Sequence, residues 1–204
     1  MVRASDKLAI LSAEAPIHQP MLTDGGAFHQ LEEEFRTVFE ASVIDMPRHM
    51  LIQFPQLMAD YTVGIVATEL TLAGARDTIR MLSWLRGNAP QMKVLVLANK
   101  VQASALEISV KDFEQSIEHK IDISLPYDTR LAAQAAKLGK PLAEVAKGSK
   151  LAASYGELLT KVLELGGADG SVIETKKGGS LLGKLNELKS LLPAKGSKAR
   201  ADAN

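Results

Sequence analysis

The sequence predicts an α/β protein built on a doubly wound, mostly parallel sheet. Three observations carry that prediction. Five short apolar runs, at 8–11, 41–45, 61–68, 93–99 and 121–125, alternate with stretches of helical periodicity. The run from Lys93 to Ala98 is almost continuously apolar, as suits a strand buried on both faces. Strand–helix–strand order in turn implies βαβ units and helices covering the sheet.

Each helix follows from its own signals. Asp24 or Gly25 starts one that reaches Phe39, with Leu31, Phe35 and Val38 on one side. A second covers 72–86, where Ile79, Leu82 and Leu85 fall at helical spacing and Gly87, Asn88 and Pro90 end it. Ser109 with Asp112 three residues on is a capping arrangement for a helix ending near His119. After Asp128 the chain is rich in Ala and Leu and reads as helix to Leu165, broken near the middle by Gly139 and Pro141.

Composition narrows function. The 204 residues include 24 basic, 24 acidic and no cysteine. Without cysteine there are no disulfides, thiolate metal sites or thiol nucleophiles. Zero net charge and 4% aromatic residues argue against nucleic acid as a partner. Residues 1–7 hold no signal-peptide apolar core, and no apolar run approaches the ~20 residues needed to cross a bilayer. A cytoplasmic protein is expected. From Lys176 to Asn204 there are seven basic and two acidic residues, a net of +5, so the rest carries −5. That split predicts an acidic domain over 1–166 and a flexible basic tail over 167–204.

Ligands of doubly wound sheets bind at the C-terminal strand ends, and three of these ends carry chemistry-capable residues. Asp45 stands before Met46, Pro47 and Arg48; it reads as a water-mediated magnesium partner or as the cap of the next helix, and on the motif alone the cap stands ahead. Asn99 offers a donor and an acceptor suited to a purine edge, or is a turn residue. Pro126 gives a rigid apolar plate for a base, or merely ends a strand.

Taken with further pieces, these residues resemble the MinD/ParA-type ATPases, and within them the CpaE/TadZ branch of Flp-type (tight adherence) pilus assembly. The resemblance spans residues 8–165. Its markers are Asp45-Met46-Pro47-Arg48, the stretch from Leu70 to Asp77, Asn99-Lys100-Val101, Ile108 to Glu114, Leu125-Pro126-Tyr127-Asp128 and Pro141-Leu142-Ala143-Glu144-Val145. It implies a P-loop NTPase fold that binds ATP and magnesium. Asp45 matches the Walker B aspartate and is the catalytic candidate, holding magnesium through water; Asn99 matches the adenine reader and Pro126 a residue beside the base. It also implies a homodimer formed around nucleotide. Such proteins direct polar localisation and recruit secretion machinery, including a motor ATPase and inner-membrane assembly proteins.

One departure outweighs the matches. No Gly-x-x-x-x-Gly-Lys-Ser/Thr sequence occurs in these residues, so the family's opening strand and phosphate loop are missing. The expectation is a C-terminal part of a longer ATPase, inactive alone. The alternatives are a non-hydrolysing interaction module of the same fold or a ParA-like partitioning ATPase, the latter disfavoured by the acidic body. Gly178 to Leu185 nearly matches the loop pattern, but Leu185 stands where the magnesium-binding hydroxyl belongs.

That segment reads better as an amphipathic helix over 180–192. Leu181, Leu185, Leu188 and Leu192 share a face, and Lys184 flanks it. A basic, leucine-faced helix can lie on an anionic membrane surface, which would make the protein peripheral to the inner membrane, or it can dock on a partner. The four histidines show no metal-ligand spacing, so no zinc or iron is expected. Glu32, Glu33 and Glu34 read as a solvated helix face, and Trp84 as core or interface.

Overall fold

A computed structural model describes residues 1–12, 16, 18, 24–102 and 107–167. The expected tail helix, with Leu181, Lys184, Leu185, Leu188 and Leu192, lies outside the described residues.

The elements are β1 (Val2–Ser5), β2 (Leu8–Ile10), α1 (Gly25–Val38), α2 (Arg48–Gln53), a 3₁₀ helix (Pro55–Asp60), β3 (Val63–Thr68), α3 (Leu72–Asn88), β4 (Lys93–Val101), α4 (Val110–Ile117), β5 (Ile123–Pro126), α5 (Thr129–Leu138), α6 (Leu142–Val145) and α7 (Lys150–Gly166). Strands β3, β4 and β5 form a parallel sheet in that order, with Val63 opposite Lys93 and Leu97 opposite Ile123.

Alternation along β4 builds a layer on each side. Val96 and Ala98 face one way and pack with Leu82 of α3 and with Phe113 and Ile117 of α4. Leu97 faces the other way, with Ile123, Leu125, Ala146 and Leu151 of α7. Leu95, Val96, Leu97 and Ala98 are all buried, so the continuous apolar run is a two-faced central strand. A third cluster joins Met50 of α2, Leu57 and Met58 of the 3₁₀ helix and Leu85 of α3, with Phe28 of α1 and Trp84 packed against it.

Caps set most helix starts. Asp24 accepts from Gly26 N–H at 2.8 Å, Thr71 from Gly74 N–H at 3.0 Å, Ser109 from Asp112 N–H at 3.1 Å and Asp128 from Leu131 N–H at 2.9 Å. Gly139 in the left-handed region (φ 60°) ends α5, and Pro141 precedes α6. A second break, at Gly148 and Ser149, separates α6 from α7.

Two expected strands are corrected. Residues 8–11 do not enter the parallel sheet: Leu8–Ile10 pairs antiparallel with Val2–Ser5 as a hairpin. Residues 41–45 form no strand. They run without a backbone ladder, and Val43 is 94% exposed, because no described strand lies beside them to accept their hydrogen bonds. The acidic run is corrected as well: Glu33 and Glu34 are exposed, but Glu32 is buried.

Candidate functional site

At the C-terminal end of the sheet, β4 carries a bulge. Ala98 pairs with Ser124 and Val101 with Pro126, so Asn99 and Lys100 together oppose Leu125. The bulge puts Lys100 in the left-handed region at φ 54°, which costs a side-chain-bearing residue about 1 kcal/mol. Two contacts hold it there. Asn99 Oδ1 accepts from Lys100 N–H at 3.0 Å, and Lys100 Nζ donates to Glu69 Oε1 at 2.7 Å. The hydrogen bond and charge of Glu69 raise the Lys100 pKa above its ordinary value.

Beside β3 lies an open groove of about 640 Å³. Its floor is β3 itself. One wall is the segment from Ile44 to Arg48, and Asn99 reaches it from β4. Thus Asp45 and Asn99 line one groove, Asn99 from the C-terminal part of β4 and Asp45 from a segment that forms no strand. Pro126 is not among its lining residues; it sits at the end of β5, half-buried. Asp45 does not cap a helix. The N-cap of α2 is Pro47, which makes no side-chain bond to it.

The junction from β3 to α3 is tight. A Cβ added at Gly74 would lie 2.1 Å from the Glu69 carbonyl oxygen, so no other residue fits without shifting backbone. Charge in the groove is largely spoken for: Arg48 and Asp77 pair at 3.7 Å, and Glu69 is taken by Lys100. Asp45 makes no ion pair among the described residues. An unpaired exposed carboxylate in the groove suits magnesium, which keeps most of its waters and takes one or two protein oxygens. Phosphates find less: Arg48 is the one cation in the lining, and it is paired.

No family model and no curated protein matches the chain. Solved structures do match. MinD cell division protein from Aquifex aeolicus superposes with TM-score 0.59 at 14% identity, over 71% of this chain and 63% of its own length. The septum site-determining protein MinD of Pyrococcus horikoshii, complexed with Mg-ADP, gives 0.59 at 17% identity, over 71% of this chain and 58% of that one. A ParA family ATPase from Chlorobium tepidum gives 0.52 at 15% identity, covering 65% and 54%. The chain has the MinD/ParA fold. It spans less than two thirds of the length of each of these structures.

Within that fold, further features were invisible in sequence. His29 and Glu33, one turn apart on α1, converge with the distant Asp60, with ligand atoms within 4.8 Å. All three are exposed, and Arg36 already bridges Glu33 at 3.2 Å and Asp60 at 3.7 Å. The Tyr61 hydroxyl donates to buried Glu32. Asp122 acts as a substitute strand residue, accepting from Val96 N–H at 2.8 Å with its carboxylate. No described helix is long and apolar enough to cross a membrane.

Proposed function

We propose that this chain is part of a MinD/ParA-type ATPase of the CpaE/TadZ branch, serving Flp-type pilus assembly. In this reading it takes part in nucleotide-dependent polar localisation and recruits secretion machinery, a motor ATPase and inner-membrane assembly proteins among its partners. The observation that carries the nucleotide part is that Asp45 and Asn99 line the same groove, which runs along β3. Asp45 would hold magnesium through water, and Asn99 would read the adenine edge. Pro126 would pack beside the base only if the base extends past the groove toward β5.

The Mg-ADP in the Pyrococcus horikoshii relative supports nucleotide and magnesium as ligands, and the MinC:MinD complex of Aquifex aeolicus supports a partner protein. The pilus assignment rests on the Asp45-Met46-Pro47-Arg48 and Pro141 to Val145 pieces in combination. The leucine face of 181–192 is the proposed contact to a membrane surface or partner.

A second reading, a non-hydrolysing interaction module, is favoured for these 204 residues taken alone. They contain no phosphate-loop sequence, and no lysine lines the groove. Titration calorimetry with ATP and magnesium separates the two. We expect binding too weak to saturate at roughly millimolar ATP. A micromolar dissociation constant that Asp45→Ala abolishes would contradict this and make the chain a nucleotide binder in its own right.

A further inference from the structure

His29 and Glu33 stand one turn apart on α1, and Asp60 ends the 3₁₀ helix. Their ligand-capable atoms lie within 4.8 Å of one another, and all three residues are exposed. Donors sharing one zinc ion at about 2.1 Å lie about 3.4 Å from each other, so small side-chain rotations close the gap. Positions 29, 32, 33 and 36 form one face of α1. Glu32 on that face is more than nine-tenths buried, and its Oε2 has no partner among the described residues. Its other oxygen accepts from the hydroxyl of Tyr61, the residue after Asp60, and its carboxylate feels the charges of His29, Glu33 and Asp60. The orphaned oxygen therefore belongs to the same cluster. Arg36 is drawn there already: it pairs with Glu33 at 3.2 Å and with Asp60 at 3.7 Å, and donates to the Asp60 carbonyl at 3.2 Å. One guanidinium thus answers three carboxylates.

We propose that His29, Glu33 and Asp60 form a binding site for one divalent transition-metal ion of the zinc class. An imidazole nitrogen with two carboxylate oxygens is a zinc donor set that leaves one position for water. That water would donate to Glu32 Oε2 and satisfy the orphaned oxygen. Magnesium takes oxygen ligands and gains nothing from His29. The ion takes over the two carboxylates that Arg36 bridges, so Arg36 competes with it. Because the ligands come from α1 and from the end of the 3₁₀ helix, a bound ion clamps these elements together. None of the three ligands lines the groove, so the site stands apart from the nucleotide reading, but Tyr61 does line it, and the clamp holds that wall in place.

Titration calorimetry of the full chain with Zn²⁺ alone tests this, with Mg²⁺ as the comparison ion. We expect one saturable Zn²⁺ site, weakened at least about tenfold by His29→Ala or Asp60→Asn. His49→Ala removes an exposed histidine on α2 and should leave that affinity unchanged. Arg36→Gln releases two exposed ion pairs and should tighten Zn²⁺ binding by about threefold. In thermal melts, Zn²⁺ should raise the midpoint of the parent and leave that of His29→Ala where it was. Absence of saturable Zn²⁺ binding, unchanged affinity in His29→Ala, an equal loss in His49→Ala, or weaker binding in Arg36→Gln would overturn the proposal. So would Mg²⁺ binding of equal strength that His29→Ala leaves intact, which would reduce the cluster to an acidic patch.

Discussion

Glu32 is 6% exposed, and one of its carboxylate oxygens has no partner among the described residues while the other accepts from the Tyr61 hydroxyl. Desolvation raises its pKa above the ordinary 4.5, partly offset by Arg36 and His29. Between 4.5 and that raised value the folded chain holds a proton that the unfolded chain has released, so this group's contribution to stability falls as pH rises through the window. Glu32→Gln keeps an acceptor for Tyr61 and removes the charge. The variant should melt higher than the parent near pH 7, with the gap closing near pH 4. Thermal melts at both pH values check this; a Glu32→Gln variant that melts lower by the same amount at each would contradict it. Glu114 behaves oppositely. The Ile121 N–H and Lys120 lower its pKa, so its contribution is lost as pH falls. The acidic triplet is legible as a helix face, but which of the three turns inward depends on where Tyr61 lands. The bulge at Asn99 and Lys100 is hidden for the same reason, since register across β4 and β5 is a tertiary property.

Among the elements, helix starts were the most legible, because a cap is a local hydrogen bond. Asp24, Ser109 and Asp128 sit at the boundaries their side chains dictate. Strands fared worse, because a strand needs a neighbour. The sequence at 93–99 has two and is a central strand; 41–45 has similar propensity and forms none. Residues 8–11 found a different partner, the polar Val2–Ser5 stretch next to them. The junction between β3 and α3 rests on Gly74, whose meaning the sequence conceals. Since an added Cβ would strike the Glu69 carbonyl, Gly74→Ala should cost about 2 kcal/mol despite the better helix propensity of alanine. Urea unfolding measures it; a variant as stable as the parent would mean the junction relaxes freely.

For the whole molecule, the acidic body folds around one strand. β4 is bonded on both edges and buried on both faces, with α3 and α4 on one side and α6 and α7 on the other. The sheet is closed at its centre and open along β3, and the groove with Asp45 and Asn99 follows from that opening. Residue-resolved hydrogen exchange on the free chain tests this arrangement most directly. The amides of Leu95 to Ala98 should exchange slowly, and those in β3 should alternate, with Gly64 and Val66 protected and Val63, Ile65 and Ala67 fast. Residues 41–45 should exchange as fast as an unpaired chain. Uniform protection along β3 together with protection at 41–45 would contradict it, since both edges of the groove would then already be paired.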